Sequence, residues 1–160
     1  MKLVSISEIK KELEHLPAKE LSQLCLRLAK YKKENKELLH YLLFDANDNE
    51  AYANRVKQEM NELFHDVNTS NLYFAKKTIR KILRVTNKHS RYAGDKQTEI
   101  VLLIHFCEML KQTGIAFYKN KALENIYLQQ VKKINAALSS LHEDIQYDFV
   151  KQVEALIHYK

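Results

Sequence analysis

Glycine, proline and tryptophan are scarce in this 160-residue chain, which contains two glycines, one proline and no tryptophan. Turns between β-strands draw heavily on glycine and proline, so their scarcity argues against a sheet-rich fold. Hydrophobic residues make up 46% of the chain and charged residues 29%, a balance typical of a globular protein. Leucine, lysine, glutamate and alanine favour helices, and we predict an all-α fold of about eight helices joined by short polar loops.

Long apolar segments and paired cysteine motifs are also missing from the sequence. The longest nearly apolar run, residues 100–110, is too short to cross a bilayer and contains both a histidine and a glutamate. The N-terminal sequence MKLVSISEIKKELEHL has no apolar stretch typical of a signal peptide, so we expect a cytoplasmic protein without a membrane span. Cys25 and Cys107 lie far apart in apolar helical stretches, and we expect both to be buried free thiols.

Apolar residues recur at helical spacing through most of the chain. The sixth predicted helix, between Gly94 and Gly114, is apolar nearly all round, so we expect it to be the most buried. Short connections make neighbouring helices antiparallel. We therefore expect one domain over residues 1–160, built as a helical bundle or as a short α-α superhelix that looks like armadillo or HEAT repeats. Three pairs have the spacing of a capping box: Ser5/Glu8, Asn47/Glu50 and Ser140/Glu143.

The second predicted helix, which Pro17 opens, carries apolar residues at the spacing of a surface that faces a core. This apolar stripe consists of Leu21, Leu24, Cys25, Leu28 and Tyr31. We therefore expect the second helix to pack against the core by that side and to expose the remainder of its surface.

A Glu-Leu-x-His sequence occurs three times, and its copies begin at Glu12, Glu37 and Glu62. Glu-x-x-His places a carboxylate and an imidazole one helical turn apart, which is half of a di-metal carboxylate site. Alternating helix directions would separate the third histidine from the other two, and the flanking sequences do not align as a repeat. We predict no metal site, and expect Leu13, Leu38 and Leu63 to point inward while each histidine ends its helix. A metal site and an eroded repeat are the alternatives.

No catalytic or cofactor-binding motif is present in the sequence. A glycine-rich phosphate-binding loop, a Gly-x-Ser-x-Gly elbow and a His-Glu-x-x-His zinc motif are all missing. The segment DANDNE, residues 45–50, begins like a calcium loop but lacks the required glycine and final glutamate. His105 and Glu108 share one face of the sixth helix as a conceivable catalytic pair, although a hydrogen bond within the core explains them more simply. We therefore predict a non-enzymatic protein that needs no cofactor.

One segment is strongly basic. Residues 67–94 contain no aspartate or glutamate and carry seven lysines and arginines, so the remaining residues sum to −1 within a net charge of +6. On a helical wheel, six of these side chains lie within about 60° of one line. These six, which we call the basic ridge, are Lys77, Arg80, Lys81, Arg84, Lys88 and Arg91. The opposite, apolar side consists of Leu72, Ala75, Ile79, Ile82, Leu83 and Thr86.

The basic ridge has three main interpretations. The first is a solvated surface that is partly neutralised by neighbours such as Glu59, Glu62 and Asp66. The second is a row of contacts to phosphates, and the third is a site that binds an acidic protein. An anionic membrane surface is a weaker alternative, because the opposite side of the helix is needed for the core. Residues that read bases are rare nearby, and we expect few exposed aromatic residues on which bases could stack, so binding to phosphates would show little sequence preference.

The first part of the chain contains the stretch EIKKELEHLPAKELSQLCLRLAKYKKENKELLHYLLF, followed further on by YANRVKQEMNELF and AKKTIRKILR. These stretches resemble a bacterial family of small helical proteins known as a domain of unknown function. A short helix, the sequence LPAKEL, a leucine-rich helix, another short helix and a basic helix carry the resemblance. It covers the first half to two-thirds of the chain. The resemblance implies a helical fold and supplies no active-site residues.

These features favour a non-enzymatic, all-α module that binds another protein. The alternative is a nucleic-acid-binding protein without sequence preference, which would contact nucleic acid or another polyanion through the basic ridge on the helix around residues 72–91. An enzyme that uses His105 and Glu108 is the third hypothesis.

Overall fold

The computed structural model describes residues 3–159, which contain eight α-helices, a short π-helix, a 3-10 helix and no β-strand. The predicted all-α class and the predicted number of helices are therefore confirmed. The α-helices are α1 (Ile6–Glu14), α2 (Ala18–Tyr31), α3 (Lys33–His40), α4 (Asn49–His65), α5 (Leu72–Ala93), α6 (Lys96–Gln112), α7 (Lys121–Leu138) and α8 (Glu143–Ile157). The π-helix is Tyr41–Asp45 and the 3-10 helix is Phe117–Lys119.

The chain divides into two compact units, one that ends at Phe44 and one that begins at Asp45. The first unit contains α1, α2 and α3, with α3 packed against α2, and the second contains α4 to α8. Within the first unit, the side-chain amide of Asn35 donates a hydrogen bond of 2.8 Å to the carbonyl of Leu28 and ties α3 to α2. The expectation of a single domain over residues 1–160 stays a prediction.

Capping residues explain where α1 and α4 begin. Ser5 and Glu8 form the predicted capping box, in which the Ser5 hydroxyl accepts from the Glu8 N–H at 3.3 Å. The cap predicted for α4 was wrong by one residue, since Asp48 rather than Asn47 accepts from the Ala51 N–H, at 2.9 Å. Adjacent Asn and Asp residues are equally good caps, so the sequence does not decide between them.

The cap predicted for α8 was also wrong. Ser140 donates to the Ala137 carbonyl at 2.6 Å and so completes the end of α7. His142 takes the capping position instead, and its ring Nδ1 accepts from the Asp144 N–H at 3.3 Å. Histidine is not among the common caps, so the serine was the stronger signal in the sequence.

Helix α6 is the most buried helix, as its sequence predicts. It packs against α4, α5, α7 and α8, and its buried residues cover most of its circumference. These are Thr98, Ile100, Leu102, Leu103, Ile104, Phe106, Cys107 and Leu110. The Phe106 ring on α6 lies 5.6 Å from the Phe64 ring on α4, which joins two helices at the centre of the second unit.

Helix α5 buries most of its predicted apolar side. Ala75, Ile79 and Ile82 are fully buried, and the buried Thr86 hydroxyl donates to the Ile82 carbonyl at 2.9 Å. Leu72 remains 41% exposed because it lies in the first turn, at the edge of the packed surface. Gly94 ends α5 in the left-handed conformation, with φ of +61°, which glycine adopts without strain.

The predicted packing of α2 was wrong. None of the residues of α1, α2 and α3 is buried, and Leu24, Leu28 and Tyr31 are 39%, 62% and 76% exposed. The apolar stripe exists, but the first unit has too few helices to cover it. Helical spacing shows that a side is apolar without showing what covers it.

Candidate functional site: the basic ridge of α5

The basic ridge lies on the side of α5 opposite its buried residues. Lys77, Arg80, Lys81, Arg84 and Arg91 are exposed, and Lys88 is half-buried. At 1.5 Å per residue, the ridge is about 21 Å long from its first to its last residue. Because the buried side of α5 is held by α4 and α6, the ridge is displayed by a fixed helix and not by a loop.

Glu59, Glu62 and Asp66 form no ion pair with the five exposed cations of the ridge in the described part of the chain. Glu59 lies 3.3 Å from His89 Nε2, and Asp66 lies 3.9 Å from the neighbouring His65 ring. Within residues 3–159, no carboxylate lies within ion-pair distance of the five exposed ridge cations. These five charges therefore face solvent without a carboxylate partner.

The C-terminal end of the ridge is anchored through histidine and tyrosine. The Lys88 ammonium lies 5.9 Å from the centre of the Tyr92 ring, a cation–π arrangement. His89 packs edge-on against the same ring at 5.8 Å, and its Nδ1 is 2.7 Å from the Tyr52 hydroxyl on α4. This contact ties the C-terminal end of α5 to α4 within the second unit.

Two exposed aromatic residues lie at the N-terminal end of the same helix. Tyr73 is 69% exposed and Phe74 is 53% exposed, and their rings meet edge to face at 5.4 Å. The Asn71 side chain caps α5 by accepting from both of their backbone N–H groups, at 3.0 and 3.3 Å. This pair was not predicted as part of the site, although Tyr73 lies four residues before Lys77 and so on the same side of α5.

His105 and Glu108 do not form a pair. His105 Nε2 lies 2.7 Å from the Asn61 Oδ1 atom on α4, so its hydrogen bond connects two helices. Burial lowers the pKa of His105, and the positive charge of Lys57 lowers it further, while a hydrogen bond to the Lys57 backbone raises it. His105 therefore connects α6 to α4 through Asn61, and its imidazole is not paired with the carboxyl group of Glu108.

The lowered pKa of His105 predicts a dependence of stability on pH. Protonation is harder in the folded state than in the unfolded state, where the pKa is 6.5. The contribution of neutral His105 to the free energy of unfolding is therefore complete above pH 6.5, and it is lost as the pH falls toward the pKa of the folded state. We expect urea unfolding of His105→Gln to lose less stability between pH 7 and pH 5 than the wild type. His158→Gln, at an exposed histidine outside these contacts, should keep the wild-type slope, and equal slopes in all three proteins would refute the prediction.

The three Glu-Leu-x-His copies do lie at helix ends. His15 caps α1, while His40 and His65 are the last residues of α3 and α4, as predicted. The prediction that Leu13 and Leu38 point inward was wrong, since they are 38% and 36% exposed. In the part of the chain that the structure describes, no cluster of three histidine, cysteine or acidic side chains has the arrangement to hold a metal ion.

The two cysteines differ in environment. Cys107 is buried as predicted, and its burial raises the pKa of the thiol to about 12, so the reactive thiolate is not formed at neutral pH. Cys25 is exposed, which contradicts the prediction, because the stripe to which it belongs on α2 is not covered.

Comparisons with known proteins add no family to these observations. A scan against protein-family models gave no match, and neither the curated proteins nor the solved structures gave one. The resemblance to a bacterial helical family stays a prediction. Among residues 3–159, none of the helices has the length and apolar character required to cross a membrane.

Proposed function

We propose that the protein is a non-enzymatic, all-α module that binds another protein through the exposed apolar side of its first unit. Among the described residues, 13 of the 21 exposed large hydrophobic side chains lie between Leu3 and Phe44, about a quarter of the chain. The absence of any buried residue from α1, α2 and α3 is the observation that carries this proposal. Such a concentration of exposed apolar surface is typical of a binding surface.

The centre of this surface lies on α2, where three residues of the apolar stripe form what we call the apolar strip. Leu24, Leu28 and Tyr31 follow one another at helical spacings of four and three residues and line one open groove with Arg27 and Lys30. This spacing suits a partner that presents an apolar helix, and the two cations favour acidic residues at its edge. Fully burying an exposed leucine or aromatic side chain contributes about 1.5–3 kcal/mol, so a few contacts of this kind support a specific complex.

Site-specific photocrosslinking in cells that make the protein tests this proposal. A photoreactive benzoylphenylalanine in place of Leu28 would lie in the apolar strip. The same replacement at Leu26, which is 55% exposed, gives a matched control on the opposite side of α2. We expect illumination to produce one predominant heavier product for position 28 and little of it for position 26. Adding Leu24→Glu to the position-28 protein should remove that product, because a carboxylate would then be buried at the interface.

The outcomes of this experiment separate three cases. A product that contains a second protein or a second copy of the chain supports the proposal when it depends on position 28 and Leu24. Crosslinks confined to the same chain would contradict it, because they would show that the strip is covered within the molecule. Equal products from positions 26 and 28 would also contradict it, since they would reflect random encounters.

A second function, the binding of nucleic acid or another polyanion, is supported by the basic ridge. Its five exposed cations have no carboxylate partner within the described residues. A row of free cations fixed on one side of a helix suits a chain of phosphates, and each contact releases counterions from the nucleic acid. This function does not exclude the first, because the ridge lies on α5 and the apolar strip on α2.

A further inference from the structure

We infer that the basic ridge and the Tyr73–Phe74 pair form one binding track for single-stranded nucleic acid, with phosphates along the ridge and unpaired bases stacked on the aromatic rings. The inference rests on the proposed polyanion-binding function and specifies its ligand. It combines two independent observations on α5: five exposed ridge cations that have no carboxylate partner among the described residues, and exposed aromatic rings that continue the same side of the helix.

The helical positions place both features on one line. At 100° per residue, Tyr73 lies about 40° to one side of Lys77 and Phe74 about 60° to the other. The track from Tyr73 to Arg91 is therefore about 27 Å long at 1.5 Å per residue. Its aromatic part lies at the N-terminal end, and its cations follow toward the C-terminal end.

The two aromatic rings contact each other in the free protein, on a backbone that is capped by Asn71. The Asn71 cap holds both backbone N–H groups, and the two rings meet at an interplanar angle of 78°. In this edge-to-face arrangement the edge of one ring lies on one face of the other, so the pair retains an open aromatic face on which a base can stack. Stacking needs no particular base, because every base has a π-face.

The aromatic residues decide between single strands and duplexes. In a duplex the bases are stacked on one another and cannot stack on a protein side chain without being unpaired. A duplex would therefore contact the cations alone, whereas a single strand would contact both parts of the track. Base-edge recognition is not required, which agrees with the scarcity of base-reading side chains near the ridge.

The test measures fluorescence anisotropy of labelled oligothymidylate, a duplex of the same length, and a strand of equal length that has abasic sites throughout. For Tyr73→Ala/Phe74→Ala we expect about 10- to 100-fold weaker binding of the single strand and a change of less than about threefold for the duplex. The wild type should bind the abasic strand about as weakly as the variant binds oligothymidylate. Tyr147→Ala, at a 79% exposed tyrosine on α8, is the control and should change neither affinity.

Each outcome has a definite meaning. Selective loss of single-strand binding, with an unchanged circular dichroism spectrum, supports the inference. Equal loss for both nucleic acids, or tighter binding of the duplex by the wild type, would overturn it while leaving a polyanion site in place. If the wild type binds none of the three probes at low salt, the proposed polyanion-binding function fails together with the inference.

Discussion

Reversing the charges of Lys77, Arg80 and Arg84 together is expected to abolish the binding of nucleic acid. Each change to glutamate removes two positive charges, so the triple variant has a formal net charge of zero in place of +6. Three contacts to phosphate would be lost and three repulsions introduced. We expect the affinity at low salt to fall by at least about 100-fold, since phosphate contacts supply most of non-specific binding.

The salt dependence of the wild type measures how many cations take part. The logarithm of the binding constant should fall with the logarithm of salt concentration, by about 0.7 per phosphate contact for a single strand and about 0.9 for a duplex. Use of the whole ridge would give a slope near −4 for a single strand. A slope with a magnitude of 1 or less would mean that the cations of the ridge do not contact phosphates together.

A variant with the same charge change at another place separates the ridge from net charge. Lys121, Lys132 and Lys133 are exposed on α7, and their change to glutamate also gives a net charge of zero. We expect this variant to lose only the small part of its affinity that depends on long-range attraction. Equal losses in the two triple variants would show that total charge, and not the ridge, determines binding.

The sequence predicted those parts of the fold that local patterns determine. Helix α6 is apolar on nearly all sides, and a helix of that kind is stable at the centre of a helical unit, where neighbours cover it. The alternation of basic and apolar positions on α5 placed Ile79 and Ile82 in the core and Arg80 and Arg84 in solvent, as the structure has them. Both results follow from helical periodicity alone.

The sequence failed where the outcome depended on a neighbouring element. Leu24 and Leu28 have the spacing of core residues, but the first unit supplies no helix to cover them. Tyr73 and Phe74 are exposed because they lie in the first turn of α5, beyond its packed surface. Periodicity gives the direction of a side chain, while its burial depends on what lies opposite.

The sequence predicted the basic part of the candidate site, which is the ridge, but not its aromatic part, which is the Tyr73–Phe74 pair. A run without acidic residues is visible in any sequence, and its placement on one side of a helix follows from counting. The lack of carboxylate partners is different, because Glu59 and Asp66 are close enough in sequence to suggest neutralisation. Only the structure shows that they lie beside His89 and His65 instead of the ridge.

Substitution of Phe106 by alanine is expected to have the largest effect on stability. Its side chain is fully buried on α6 and contacts the Phe64 ring on α4. Removing a buried phenylalanine ring leaves a cavity and costs about 3–5 kcal/mol in the free energy of unfolding. Since domains are stable by only about 5–15 kcal/mol, urea unfolding followed by circular dichroism should show a large drop in the midpoint for the second unit.

Leu28→Ala is the informative comparison, because the proposed function requires this large apolar residue to stabilise a complex and not the free protein. Leu28 is 62% exposed, and we expect its truncation to change the free energy of unfolding by no more than about 0.5 kcal/mol. The same change should weaken the complex formed through the apolar strip. A loss of stability above about 2 kcal/mol would mean that Leu28 is buried in the free protein, in which case the strip belongs to the core and the proposed protein-binding surface does not exist.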